Sequence, residues 1–166
     1  MLNFTKTKQK EFVIILHNLR SAYNVGAIFR TADAVQVSKI YLTGYTSAPK
    51  DRFGRKQKEI AKVALGAEDY VKWEKHPDLE KLINQLKNKG YTIVALEQDK
   101  SSIYYKKIKD IDNNKIALVL GNEPDGLSEE EIKLADYVAE IPMLGKKESL
   151  NVAAAFAVAV YGILDI

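Results

Sequence analysis

A chain of 166 residues with 46% hydrophobic and 28% charged side chains has the size and composition of one globular domain with a sizeable core. No apolar run approaches the roughly 20 residues needed to span a bilayer, the lysine-bearing start from Met1 to Lys10 lacks the apolar stretch of a secretory signal, and the absence of cysteine excludes disulfides, thiolate metal sites and a cysteine nucleophile. A net charge of +3 is too mild to name a partner, and the plain expectation is a soluble cytoplasmic protein without membrane contact.

In chain order, Lys6, Lys8 and Lys10 form a first basic cluster. Phe12–Leu16 opens a series of short apolar runs rich in branched residues, continued by Ile40–Thr43, Tyr91–Leu96, Ile116–Leu120 and Tyr137–Ile141. Continuous runs of this kind suit strands covered on both faces, as in a parallel sheet. After the first run, a polar loop from His17 leads into a helix with an apolar stripe of Val25, Ile28, Ala32 and Val35, and with Asn24 placed as its N-cap. A second basic cluster follows the second strand: Lys50, Arg52, Arg55, Lys56, Lys58 and Lys62, diluted by Asp51 and Glu59. Both clusters fit phosphate neutralisation, and both fit a solvated helix face. Leu79, Leu82, Ile83 and Leu86 predict another helix, preceded by Pro77 and stopped by Gly90. Ser128 and Glu131 form a capping-box signature.

This alternation predicts an α/β fold, a mainly parallel sheet with helices on both faces. The last helix, Leu150–Leu164, is apolar on every side except at Asn151. A helix hydrophobic all round is buried all round. The sheet can cover one side only, so the expectation is a homodimer through this C-terminal helix.

The familiar nucleotide signatures G-x-x-x-x-G-K-[ST] and G-x-G-x-x-G are absent, and two histidines, His17 and His76, leave no zinc cluster and no metal expectation. His17, near a strand end, reads as structural. Three segments are left unexplained by the core. His17–Ala34 carries Arg30 well around the helix from the apolar stripe, beside the small residues Ala27 and Ala34. In open α/β sheets ligands bind beyond the carboxyl ends of strands, where this loop lies. Gly121-Asn122-Glu123-Pro124-Asp125-Gly126-Leu127 follows the most apolar strand, and its glycines predict a tight turn with positive φ. Two carboxylates would repel a pyrophosphate, so the turn suits hydroxyl or amine donors or a cationic ligand; a plain surface turn is the alternative. Ile141–Asn151 links the last strand to the last helix, with Ser149 as the natural N-cap. Asn151 is costly inside an apolar helix unless its hydrogen bonds are met, by a cap, across a dimer or at a site.

Together these segments resemble the SpoU/TrmH-type RNA 2′-O-ribose methyltransferase family of the SPOUT superfamily. The motifs are N-x-G-x-x-x-R-T-A from Asn24 to Ala32, G-N-E-x-x-G-L from Gly121 to Leu127, and I-P-M-x-G-x-x-x-S-L-N from Ile141 to Asn151, in the family's order and each after a predicted strand. The resemblance spans essentially the whole chain. It implies a single SPOUT domain over residues 1–166 with no appended RNA-binding domain, a C-terminal deep trefoil knot (the alpha/beta knot), and a homodimer. It implies S-adenosyl-L-methionine as cofactor, contacted by Leu96, Gly121, Ile141, Met143, Ser149 and Leu150, and a catalytic group of Asn24, Arg30, Glu123, Ser149 and Asn151.

The implied reaction is attack of a ribose 2′-hydroxyl of tRNA or rRNA on the cofactor's methyl group. The family assigns proton removal to the counterpart of Arg30, yet a guanidinium with a pKa above about 12 is a poor base. The preferred role for Arg30 is to grip the RNA phosphate beside the target ribose and stabilise the developing alkoxide. Arg52 and Arg55 are the further candidates for RNA contact. Two alternatives stand beside this reading: a SPOUT-type RNA base methyltransferase, and a non-catalytic RNA-binding protein of the same fold.

Overall fold

The computed structural model describes residues 10–166; Lys6 and Lys8 of the first basic cluster lie outside them. In chain order the elements are β1 (Glu11–His17), α1 (Ala22–Ala34), β2 (Lys39–Thr43), α2 (Lys58–Ala64), α3 (Ala67–Tyr70), β3 (Trp73–His76), α4 (Leu79–Asn88), β4 (Thr92–Leu96), β5 (Ile103–Tyr104), a 3-10 turn (Tyr105–Asp110), β6 (Lys115–Leu120), α5 (Glu129–Ile132), β7 (Tyr137–Glu140) and α6 (Val152–Leu164). The strands form one sheet in the order β3-β2-β1-β6-β4-β7-β5, and every ladder in it is parallel.

The period-2 pleat divides the core in two. Phe12, Ile14 and Leu16 of β1 face one cluster with α1, α2, the 3-10 turn and α6. Val13 and Ile15 face the other, with Leu82, Ile83 and Leu86 of α4. The expected helices on both faces are therefore present, and all five expected strands are found within a residue or two of their predicted ends. Two strands were not foreseen. Trp73–His76 carries Glu74 and Lys75 in a polar run, and β5 has two residues. Both sit at sheet edges, where charged side chains and shortness are tolerated and the apolar signal is weakest.

Two helix starts differ from expectation. Ser21, and not Asn24, caps α1: its side chain accepts a hydrogen bond from the Asn24 N–H, which places Asn24 in the first turn. Asn151, and not Ser149, caps α6, accepting from Ala153 and Ala154, so the helix begins at Val152 rather than Leu150. The cap satisfies orphan amides at the helix end and removes the expected cost of burying Asn151, which is exposed. The Ser128–Glu131 capping box of α5 forms as read.

Helix α6 is buried on one side only. Phe156, Ala159, Val160 and Ile163 enter the core, while Val158 and Tyr161 keep 41% and 44% of their surface exposed. Lys10 is committed to structure: its ammonium donates to the carbonyls of Ile108, Lys109 and Ile111 at the end of the 3-10 turn. Within the first motif, Gly26 permits close approach of α1 and α2, since a Cβ there would lie 2.7 Å from the Ile60 carbonyl oxygen.

Candidate active site

In a parallel sheet every strand delivers its following loop to the same edge. The loops after β4, β6 and β7 meet there around a cleft of about 300 Å³. Each is held by a particular contact. After β6, the Asn122 side chain accepts from the Asp125 N–H and the Asn122 carbonyl accepts from the Gly126 N–H, closing a tight turn. Gly126 has φ +68°, the left-handed region read from the sequence, but Gly121 does not. Gly121 is needed for space: a Cβ there would lie 2.4 Å from the carbonyl carbon of Gly126 and 2.6 Å from the Leu127 nitrogen. The turn is seated on β4 by Glu97, whose carboxylate accepts from the N–H groups of Leu127 and Gln98. After β7, the carbonyl of Glu148 accepts from the Gln98 side chain at 2.5 Å.

The β6 turn is tied to the start of α1 by a carboxylate clasp. Glu123 accepts from the Arg20 N–H at 2.9 Å and, through its other oxygen, from the Ser21 N–H and the Asn24 amide at 3.0 Å each. The Asn24 side-chain carbonyl in turn accepts from the Asn151 amide at 3.0 Å. Partial burial alone would raise the Glu123 pKa, but the N–H of Arg20, the Asn24 amide and the N–H of Ser21 together hold it below the ordinary value. A carboxylate at the positive end of the α1 dipole is favoured for the same reason.

All six residues expected to contact a cofactor, Leu96, Gly121, Ile141, Met143, Ser149 and Leu150, line the cleft. Of the expected catalytic group, Glu123 and Ser149 line it, and Asn24 and Asn151 join it through the clasp. Arg30 is not brought into this set. It lies exposed on α1, about 9 Å beyond Asn24 along the axis and about a third of a turn away. Among the described residues it has no hydrogen-bond or ion-pair partner. Arg52 and Arg55 line a separate basic pocket in the loop between β2 and α2, a loop rather than the helix face that was the alternative. His17 is buried with both ring nitrogens engaged, to Thr43 and to Glu131 at 2.8 Å each.

Sequence reasoning missed Glu97, Gln98, Glu140 and Glu148 in the lining. The rule that ligands gather at carboxyl strand ends pointed at Glu97 and Gln98, directly after β4, without singling them out. Among the described residues the lining thus holds the acidic residues Glu97, Glu123, Asp125, Glu140 and Glu148 and no lysine or arginine, beside the apolar Leu96, Ile141, Met143 and Leu150. Such a mixture accepts a ligand with both cationic and apolar parts.

The motifs on this cleft have counterparts in known proteins. Residues 11–161 match the model of the SpoU rRNA Methylase family. The chain belongs to that family. A tRNA (guanosine(18)-2′-O)-methyltransferase of Aquifex aeolicus is 34% identical over 155 residues, which are 93% of this chain and 69% of the relative. One from Thermus thermophilus is 31% identical over 159 residues, 94% of this chain and 75% of the relative. The crystal structure of the A. aeolicus TrmH/SpoU tRNA modifying enzyme superposes with a TM-score of 0.80 at 29% identity, covering 95% of this chain and 75% of that one. An AdoMet-bound rRNA methyltransferase from Sinorhizobium meliloti gives a TM-score of 0.80 at 30% identity, over 93% of the SpoU-family chain described here and 56% of that one.

Proposed function

We propose that this protein transfers the methyl group of S-adenosylmethionine to a ribose 2′-hydroxyl of tRNA or rRNA. The observation that carries the reading is the cleft itself: two of the family motifs line one acidic, partly apolar cavity, and the first is tied to them where Asn24 bonds Glu123 and Asn151. Its donor set fits the cofactor. A lining with five acidic residues and, among the described residues, no lysine or arginine suits a ligand bearing a sulfonium and an amino group, and its volume falls in the range of small-molecule sites. Bound S-adenosylmethionine supplies an electrophilic methyl group.

The chain's own residues then divide the work. Leu96, Gly121, Ile141, Met143, Ser149 and Leu150 hold the cofactor, with Gly121 giving backbone access. Glu123, Asn24 and Asn151 fix the β6 turn, the α1 start and the α6 start relative to one another, and Ser149 faces the same cavity. In the reaction a bond forms between the ribose oxygen and the methyl carbon, the carbon–sulfur bond breaks, and the hydroxyl proton leaves toward the neighbouring phosphate or water. Arg30 grips that phosphate and lowers the energy of the developing alkoxide, and Arg52 and Arg55 bind RNA further off. Aligning the two reactants can contribute up to roughly 7–11 kcal/mol.

The chain leaves β6, which pairs one side of β4, and returns as β7 on the other side. Helix α6 then crosses back to pack on α1 and the 3-10 turn. This path supports the deep trefoil knot that the family resemblance implies. The exposed stripe of Ala154, Val158 and Tyr161 on α6 supports a homodimer through that helix. One sheet with two core clusters supports a single SPOUT domain across the described residues. No helix among the described residues is long and apolar enough to cross a membrane, and a cytoplasmic location accords with RNA as substrate.

The test is to incubate the protein with total RNA and methyl-labelled S-adenosylmethionine, then digest the product with alkali. A 2′-O-methyl group blocks cleavage at its own bond, so the label should emerge in alkali-resistant dinucleotides. Label in mononucleotides would assign a base methyltransferase instead, and calorimetry showing no cofactor binding would remove both enzymatic readings.

A further inference from the structure

A second pocket carries the opposite charge to the first. The loop from Lys50 to Lys56 folds into a small hairpin, bridged at its base between those two lysines. Asp51 organises it, accepting from the N–H groups of Phe53 and Arg55 and from the Arg55 guanidinium at 2.7 Å. Gly54, at φ +77°, turns the chain at the tip. The hairpin thereby presents Phe53 with 66% of its surface exposed. The guanidinium carbons of Arg52 and Arg55 lie 4.7 and 5.1 Å from the ring centroid. The same loop lines a pocket of about 450 Å³ together with Lys75, with Lys50, Arg52, Arg55 and Lys56 as its other cations.

The cations are not all spent on internal pairs. Lys50 and Lys56 share Asp69, and Arg55 pairs with Asp51. Arg52 has no carboxylate partner among the described residues. Lys75 is held by the carbonyl of Thr46, a neutral acceptor that aims the ammonium without cancelling its charge. An aromatic ring with most of its surface exposed, two guanidinium groups about 5 Å from its centre and a cationic cavity lined by the same loop has the two components that bind an unpaired nucleotide. The base stacks on the ring or on a guanidinium plane, and the phosphate enters the cavity.

We propose that the Lys50–Lys56 hairpin is a nucleotide-stacking platform, with Phe53 taking an unpaired RNA base and Arg52 and Lys75 taking its phosphate. The platform stands on the same sheet edge as the acidic cleft. Three inter-strand steps separate β2 from β4, a distance on the order of 15 Å. The strands between are β1 and β6, and the loop after β1 emerges there with the exposed Arg20. A single strand of a few nucleotides spans that distance. The platform therefore holds RNA beside the target nucleotide, not at it, and it rests on the reading of this protein as an RNA methyltransferase.

Fluorescence anisotropy with a short labelled oligoadenylate tests the platform on the full chain, with calorimetric titration of S-adenosylmethionine as the control. Phe53→Ala should weaken RNA binding about tenfold while leaving the salt dependence unchanged. Phe53→Trp should retain binding, and Phe53→Leu should behave like Ala because it keeps apolar area without a π face. Arg52→Gln combined with Lys75→Gln should flatten the plot of log affinity against log salt by about 0.7 for each phosphate left without its cation. Cofactor affinity should stay within twofold of wild type throughout, since no substitution touches the cleft. RNA binding by Phe53→Ala within twofold of wild type, or by Phe53→Leu equal to Phe53→Trp, overturns the stacking role. A wild-type protein that methylates RNA but does not bind the oligonucleotide overturns the platform alone. One that binds neither cofactor nor RNA overturns the functional reading beneath it.

Discussion

The two pockets at the carboxyl edge of the sheet are built from opposite materials. The cleft beyond β4, β6 and β7 is lined by five carboxylates and by apolar side chains. The pocket beyond β2 and β3 is lined by lysines and arginines with Asp51 as the one carboxylate in its lining. Their construction differs as well. The cleft is drawn together by hydrogen bonds between residues distant in sequence, Glu123 to Arg20 and Ser21, Leu127 to Glu97, Asn151 to Asn24. The hairpin at the pocket is organised within itself by Asp51. A cationic methyl donor and a polyanionic substrate need opposite fields, and the sheet edge keeps the two fields apart by three strand spacings. One site depends on tertiary closure, the other on local charge, so perturbations of fold and of ionic strength should separate them.

The largest effect is expected at a residue that belongs to neither region. Arg30→Ala should lower kcat by about 10²–10³-fold, the cost of removing one transition-state charge interaction, with cofactor affinity within twofold by calorimetry. Retained turnover would take Arg30 out of the chemistry. Next, Gly121→Ala should disable the acidic cleft. The added Cβ meets the backbone of Gly126 and Leu127 at 2.4 and 2.6 Å, and backbone cannot step aside as a side chain can. Overpacking of this kind costs about 1–3 kcal/mol, and thermal unfolding should register it as a drop of several degrees. S-adenosylmethionine should bind at least about tenfold more weakly while oligonucleotide binding holds. Equal weakening at both sites would mean that they are not independent.

The same contrast explains what could be read from sequence. The central strands were legible because Ile116–Leu120 and its neighbours are apolar without interruption. The cleft was legible through the family resemblance: read alone, Gly121–Leu127 stayed a site or a plain surface turn and Asn151 a cap, a dimer contact or a site, and only the three motifs in order joined them. The caps were misplaced for a physical reason. Ser21 and Asn24 are both competent N-caps three residues apart, and the choice is made where Glu123, about a hundred residues away, grips the Arg20 and Ser21 amides. Nothing local to Ser149 and Asn151 decides between them either; Asn151 is also bonded to Asn24. Edge strands β3 and β5 escaped because an edge needs no apolar run. Glu97 escaped because its partner, the Leu127 amide, lies thirty positions away. Conversely, Arg52 and Arg55 read as bare charges in the sequence, where nothing local shows that both guanidinium groups lie about 5 Å from the centre of the Phe53 ring.

Ionic strength offers a gentler separation. With two or three phosphates neutralised at a slope of about −0.7 each, RNA affinity should fall roughly tenfold between 50 and 200 mM salt. Cofactor affinity should change less than twofold, since bonded carboxylates in a partly apolar cleft are screened little. Parallel salt dependence at the two sites would indicate that the acidic lining contributes long-range charge rather than local hydrogen bonding.

The smallest effect probes the clasp itself. Glu123→Gln keeps an oxygen for the Ser21 and Asn24 donors but turns an amide toward the Arg20 N–H, exchanging one accepted bond for two opposed donors. At neutral pH this should cost about 1 kcal/mol, limited by the partial exposure of the carboxylate. The sign of its pH dependence follows from the depressed Glu123 pKa: burial opposes ionisation, and the Arg20, Asn24 and Ser21 donors outweigh it. A carboxylate whose folded pKa lies below its unfolded value adds stability above the unfolded value, near 4.5, and loses it as pH falls through the folded one. The gap between wild type and Glu123→Gln in denaturant titrations should therefore be constant above about pH 5 and close on acidification. Once Glu123 is protonated in both states, the carboxylic acid and the amide become near equivalents. A gap that persisted unchanged to strongly acid pH would mean that the three donors do not hold the ionised form, and the clasp would be packing rather than charge.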